Sequence, residues 1–280
     1  MDIVTVTLML SAGLLHATWH SLVKGGTSQI TILAGMGVVA GGAAAVTIPF
    51  VPMPTAAVWP ILLMSVTVHI GYKLCLARAY ELGDLGRAFP LARGMVPLFA
   101  ATLALAWLGQ MPSSYQWLGI SLVSIGIVTL ALDQFDGRAR LDRRLLLAAA
   151  GAGLTVACYS VLDAYGTRLQ GDWIAFTAWL VVLDSTLFLV LTVALRGRRL
   201  WSDMAANRTS IVVSGILGLA SFSVFLWALS RNPVGPVSAL RETSVLFAGV
   251  IGVLWHGEIF SARRALGVLL IVAGIATIAF

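Results

Sequence analysis

The sequence predicts an all-α polytopic membrane protein, with ten transmembrane helices arranged as two inverted five-helix repeats. Three observations predict it. Of 280 residues, 59% are hydrophobic and 11% charged, and the mean hydropathy is +0.94. A soluble domain carries about 25% charged residues, so this chain cannot cover its apolar surface in water. Apolar runs of about 20 residues, the length that crosses a bilayer, recur between polar or Pro/Gly breaks. The chain also repeats itself. Shifted by 140 positions, 12–27 falls on 152–167, with Ala12/Ala152, Gly13/Gly153, Leu14/Leu154, Gly26/Gly166 and Thr27/Thr167 among the identities. Shifted by 148, 93–132 falls on 241–280, matching Arg93/Arg241, Trp107/Trp255, Gly109/Gly257, Gly119/Gly267 and Gly126/Gly274. Apolar bias does not pair Arg, Trp and Gly in this way, and duplication in a hydrophobic chain is a mark of transporters.

The first span covers 3–23. Met1-Asp2 offers no cationic stretch and no small-residue cleavage site follows, so it reads as a retained helix rather than a leader. Gly25-Gly26 ends it. Spans follow at 29–50 (closed by Pro52 and Pro54), 57–80 (Gly83-Asp84), 86–108 (Gly109 to Pro112) and 115–133, completing a first repeat over 1–140. The second repeat, 141–280, gives 144–166, 173–195 after Gly171-Asp172, 209–230, 234–255 after Asn232-Pro233, and 263–280 after Gly257. Five crossings are an odd number, so the second copy is inverted about an axis in the membrane plane. The drift from 140 to 148 places the extra residues in the basic loop 196–208, opposite the short uncharged 51–55.

The cations set the orientation. Lys24, Arg87, Arg138, Arg140, Arg143, Arg144, Arg196, Arg198, Arg199, Arg208, Arg263 and Arg264 fall in odd-numbered loops, and Arg168 and Arg231 in even-numbered ones. Odd loops are therefore expected in the cytoplasm and both termini outside, in the periplasm if the membrane is an inner one. The net charge of +6 is accounted for by these loops and does not point to nucleic acid. Cys75 and Cys158 sit singly in apolar runs and read as small core residues.

Gly257-Glu258 at the end of the ninth span, the closing runs 119–126 and 267–274, and Trp19 in the first span resemble the drug/metabolite transporter superfamily, EamA type. The resemblance covers the whole chain, and within the superfamily it is most similar to the YddG type of aromatic and neutral amino-acid exporters. It implies a secondary transporter without cofactor that exports such amino acids by alternating access through a cavity between the repeats. The alternative within the superfamily is a carrier of cationic drugs or nucleotide sugars, which would give almost the same sequence pattern. The chain departs from the common pattern in having Gln110 where the second repeat has Glu258, and in lacking cations after the second span.

Charges inside spans are costly and mark candidate sites. Arg93 and Arg241 are repeat mates. Either one binds a substrate carboxylate, or both pair with buried carboxylates. Asp184 lies near the middle of the seventh span, where it either binds substrate, takes up a proton, or pairs with an arginine. Glu242 points about 100° away from Arg241 on a helix and is not its expected partner. Asp163 is expected at an interface or paired with Arg168. Lys73 and Arg78 are expected to snorkel.

Trp19 and Tyr159 are repeat mates within spans, and with Tyr80, Trp179, Phe222 and Trp227 they are candidates for an aromatic cavity wall. Tyr80 and Trp227 are also placed for an interfacial belt. His16 and His20 share a face at i, i+4. Without an acidic ligand nearby they read as interhelical hydrogen-bonding groups rather than a metal site, and His69 and His256 likewise. His16, Asp184 and Glu242 are the candidates for proton coupling. Pro90 and Pro97 in the fourth span and Pro233 and Pro236 opening the ninth are expected to kink or gate. The glycine pairs Gly119/Gly126 and Gly267/Gly274 are expected to let the fifth and tenth spans approach closely.

The sequence lacks a Walker A motif, which excludes direct drive by ATP. HExxH, GxSxG and paired catalytic aspartates are also absent, which weighs against an intramembrane enzyme. A channel would need charged rings, usually in an oligomer, whereas an inverted repeat supplies a pathway within one chain. The expectation is thus a monomer in the lipid bilayer that binds a small molecule and no nucleic acid. Its substrate residues are Trp19, Tyr159, Arg93, Arg241, Asp184, Tyr80 and Trp179.

Overall fold

A computed structural model describes residues 1–24, 28–82, 85–133, 143–249 and 261–279, with side chains described for these except 24, 80–82, 85–92 and 145. The side chains of Tyr80 and Pro90, together with Trp255, His256 and the Gly257-Glu258 motif, lie outside the described residues.

The described residues form helices joined by turns, with no strand among them. The helices are α1 (Ile3–Lys24), α2 (Gln29–Thr47), α3 (Val58–Leu82), α4 (Leu85–Leu108), α5 (Ser114–Asp133), α6 (Arg143–Gln170), α7 (Trp173–Arg196), α8 (Arg199–Ala206), α9 (Arg208–Arg231), α10 (Val234–Arg241) and α11 (Ala262–Ala279). Among the described residues eight helices are long and apolar enough to cross a membrane: α1, α2, α3, α5, α6, α7, α9 and α11. α4 adds the shorter apolar stretch Arg93–Leu108.

Local chemistry sets the ends. Asp2 opens α1 by accepting from Thr5 N at 2.8 Å and Thr5 Oγ1 at 2.7 Å. α5 begins with a reciprocal cap. Ser113 Oγ accepts from Gln116 N at 3.2 Å, and Gln116 Oε1 accepts from Ser113 N at 3.0 Å. Asp172 caps α7 through Ile174 N and Ala175 N.

The prolines fall inside one helix and at the start of another. α4 is helical through Pro90 and Pro97. Pro233 is the N-cap of α10 and Pro236 its third residue, where a missing N–H has no intrahelical acceptor to lose. These two prolines start a helix rather than bend one. The ninth predicted span breaks instead at Glu242-Thr243, and helix resumes over 244–249.

Helices pair along their lengths: α1 with α9, α2 with α7, α3 with α6, α4 with both α5 and α6, and α5 with α11, while α10 packs on α4. The α5–α11 crossing is close because glycines face it. A Cβ on Gly274 would lie 2.7 Å from Gly119 O and 2.9 Å from Val123 N, both backbone atoms that cannot step aside. The Gly274→Ala variant is therefore expected to lose about 1–3 kcal/mol of stability. Gly42→Ala, which meets nothing within 4 Å, is expected to lose none. Thermal midpoints of the two purified variants in one detergent check this contrast.

Candidate functional site

α1, α2, α3, α6, α7, α9 and the end of α10 surround a central cavity of about 150 Å³. Its wall is mostly apolar: Leu33, Met36, Gly37 and Ala40 of α2, and Gly215, Gly218 and Leu219 of α9. The chemistry is concentrated in aromatic rings and a few charges.

Arg241 reaches the cavity because of the break after α10. Thr243 donates its hydroxyl to Leu240 O at 2.7 Å. Thr243 N, Val245 N and Leu246 N bond three residues back, to Leu240 O, Glu242 O and Thr243 O, so the broken turn leaves its amides satisfied. α1 passes close beside the break, where a Cβ on Gly13 would lie 2.8 Å from Thr243 Oγ1. Arg241 then faces the cavity, and Glu242 turns away from it.

Arg93 receives Glu242. Its Nη1 donates to Glu242 Oε1 at 2.7 Å, and its Nη2 lies 2.6 Å from His16 Nε2. Arg93 is 2% exposed and Glu242 0%, so this is an ion pair sealed from solvent. Arg241, 8% exposed, makes no ion pair among the described residues, and its Nη1 is buried with no hydrogen-bond acceptor. Its guanidinium lies 4.2 Å from the Phe225 ring centroid and 5.5 Å from that of Tyr159. The repeat mates therefore differ: Arg93 is ion-paired with Glu242, and Arg241 is in no ion pair among the described residues. The sequence carried the signal, because the 148 offset puts Gly94 opposite Glu242 and leaves one carboxylate for two arginines.

Asp184 pairs with Lys73, not with an arginine, and both line the cavity. Asp184 Oδ1 is buried and accepts no hydrogen bond among the described residues. Lys73 also lies 4.6 Å from the Phe188 ring centroid. Sequence reasoning left Lys73 aside as a snorkelling residue. Ser65, His69 and Lys73 are spaced i, i+4, i+8, one polar stripe down α3, and that pattern marks the face turned inward.

Trp19, Tyr159, Tyr72 and Phe222 supply aromatic wall. Trp19 stacks on His20 with centroids 3.7 Å apart, and its Nε1 lies 3.2 Å from His16 Nδ1. His16 thus meets an indole donor at Nδ1, and at Nε2 both a guanidinium donor and His20 Nε2, 3.1 Å away. A neutral imidazole has one lone pair, so His16 itself accepts from one of the two donors.

Of the residues expected to bind substrate, Trp19, Tyr159, Arg241 and Asp184 line the cavity together. Arg93 lies behind the wall in its ion pair, as does Glu242. Trp179 does not line it. Its ring packs edge-on against Trp59 at 5.6 Å, because that face of α7 turns away from the centre. Trp227 sits under Arg231 at 5.5 Å near the end of α9. Asp163 is not Arg168's partner: Arg168 Nη2 donates to Leu229 O at 2.9 Å and Asn232 O at 2.7 Å, closing the end of α9. Among the described residues no cluster of three or more His, Cys, Asp or Glu is arranged to hold a metal.

Comparison with known proteins places this geometry. A relative named as the uncharacterized transporter YwfM of Bacillus subtilis (strain 168) is 24% identical over 220 residues, spanning 79% of this chain and 73% of its own. A solved crystal structure shares the fold with a TM-score of 0.76 at 19% identity, covering 99% of this chain and 96% of its own. Residues 143–280 match the model of the EamA-like transporter family, and the chain, similar to that family through its second half, is a multi-pass membrane protein.

Proposed function

We propose that the protein is a secondary transporter that exports aromatic and neutral amino acids by alternating access through this cavity. The observation that carries the reading is Arg241 Nη1, a buried cationic donor without an acceptor on an otherwise aromatic and apolar wall. A substrate carboxylate is the group that completes it. The open oxygen of Asp184 accepts the substrate ammonium, and Trp19, Tyr72, Tyr159 and Phe222 hold the side chain. Lys73 balances Asp184, so the charge left on the wall itself is that of Arg241, with Asp163 set behind His69, and this disfavours a cationic drug.

The two halves, 1–140 and 141–280, act as inverted repeats in one monomer. Helix pairing supports this, since α1 against α9 is the α6-against-α3 contact with the halves exchanged. α2 with α7 and α5 with α11 pair mates directly. A discontinuous helix inside the membrane beside an available charge is the form that transporter sites take. In this reading the membrane is the cell's inner one, and the excess of cations in the odd-numbered loops favours both termini outside.

Uptake of labelled Phe, Trp, Ala and a flat organic cation into proteoliposomes tests the reading. The amino acids are expected to move and the cation not, and transport of the cation alone overturns it. Trp19→Ala is expected to weaken Phe uptake by roughly 3- to 10-fold while sparing Ala, the worth of one aromatic contact. Apparent KM values for the two substrates read this out.

A further inference from the structure

We propose that His69 and Asp163 form the proton-binding site that couples transport to a proton gradient, exchanging one proton for one substrate molecule. This rests on the transporter reading above. The argument starts from how each buried carboxylate is balanced. Glu242 is held by Arg93, Asp184 by Lys73, and Asp133 by Arg264 at 3.3 Å. Each of these carboxylates thus has an arginine or a lysine against it. Asp163 is 0% exposed, and among the described residues no arginine or lysine meets it. Its Oδ1 takes the hydroxyl of Ser65, its Oδ2 lies 3.1 Å from His69 Nε2, and its own backbone carbonyl accepts Thr167 Oγ1 at 2.8 Å. Among the described residues the one ionisable partner of this buried carboxylate is an imidazole, which becomes a cation only by binding a proton.

The pair is placed to exchange that proton. His69 lines the cavity, stacked on Tyr159 at 4.0 Å and edge-on to Phe222 at 5.4 Å, with Asp163 behind it in α6. The groups around it are Tyr72 and Lys73 on α3 itself, Tyr159 and Asp163 on α6, Asp184 on α7, Arg241 on α10, and His16 on α1 across the cavity. α2 and α9 present no charge to it. Lys73 and Asp184 cancel each other. The remaining balance is Arg241 positive and Asp163 negative. A proton on His69 Nδ1 gives an imidazolium–carboxylate pair and removes the uncompensated negative charge. A substrate whose carboxylate has neutralised Arg241 still brings an ammonium, which Asp184 accepts in the same cavity wall as His69, and an ammonium there and a proton on His69 repel each other. Proton and substrate therefore exclude each other from one cavity, and mutual exclusion across alternating access is exchange. The proton moves from water in the cavity to His69 and back to water on the other side, with no other bond made or broken. This assigns coupling to His69 and Asp163 in place of Asp184, Glu242 and His16.

The test uses the full chain in proteoliposomes loaded with labelled Phe at equal concentration inside and out. Exchange of a proton for zwitterionic Phe moves one charge, so the membrane potential is held at zero with equal potassium and valinomycin. Acidifying the outside by about one pH unit is then expected to drain the vesicles until the Phe ratio reaches about tenfold, the equilibrium of one-for-one exchange. A trapped pH dye is expected to record proton entry that depends on Phe. Asp163→Asn and His69→Gln are expected to keep Phe exchange at equal pH and to lose both the drainage and the proton signal. Wild-type exchange that ignores the gradient overturns the proposal and leaves the transporter reading standing. So does drainage by the variants equal to wild type, or loss of exchange together with coupling in both monodisperse variants, which marks a structural pair. Absence of amino-acid exchange in wild type overturns the transporter reading and this proposal with it.

Discussion

The Arg241→Met variant is expected to fold normally and to lose transport of carboxylate-bearing substrates by about 30-fold or more. The magnitude follows from deleting one partner of a buried, hydrogen-bonded charge pair with the ligand, about 2–5 kcal/mol. Folding survives because Arg241 serves no carboxylate of the protein: Glu242 belongs to Arg93. Methionine also keeps the length that packs against Phe225 and Tyr159. Arg241→Lys is expected to retain part of the flux, because an ammonium restores the charge without the two-pronged geometry. Initial uptake rates and thermal midpoints measured on the same preparations separate the two effects. A large drop in midpoint for Arg241→Met would mean that this arginine is structural as well.

Arg93→Met is expected to do the opposite and fail in folding. It strands Glu242, which is 0% exposed, as an unpaired charge inside the membrane. Breaking a buried pair from one side costs roughly 3–5 kcal/mol, a large share of the 5–15 kcal/mol by which proteins are stable. Glu242→Leu alone removes the carboxylate that Arg93 Nη1 donates to and is expected to lower stability as well. The double variant R93M/E242L removes both charges, and apolar replacement of a whole buried pair is often neutral or better, so stability is expected to return. Yield of monodisperse protein and its thermal midpoint across this cycle measure the coupling. Equal stability of the single and double variants would contradict a charged pair.

The helices were legible because hydropathy and caps are local properties. Asp172 and the Ser113–Gln116 pair mark their starts in the sequence itself, and Gly274 marks a close crossing. The break at Glu242-Thr243 was not legible. It contains neither Gly nor Pro, and it is held by contacts from elsewhere, with α1 passing at Gly13 and Arg93 drawing Glu242 to its own side. Pro233 and Pro236 occupy first-turn positions where a lost N–H costs little, and α4 stays helical through Pro97. Within the site, Trp19, Tyr159, Arg241 and Asp184 were readable as charges or aromatics within spans. Which arginine was free depended on pairing, and pairing is a tertiary fact. The one hint was Gly94 standing opposite Glu242 in the repeat. Lys73 and His69 were passed over because each was weighed singly, when their spacing with Ser65 makes one inward face.

The central claim is that Arg241 receives a substrate carboxylate, and competition against labelled Phe in wild-type proteoliposomes tests it most directly. Unlabelled Phe and 3-phenylpropionate, which keeps the carboxylate without the amine, are expected to inhibit uptake. Phenethylamine, which keeps the amine and the ring but lacks the carboxylate, is expected not to. Inhibition by phenethylamine as strong as by Phe, with none by 3-phenylpropionate, would contradict the account and make the cavity a site for cations.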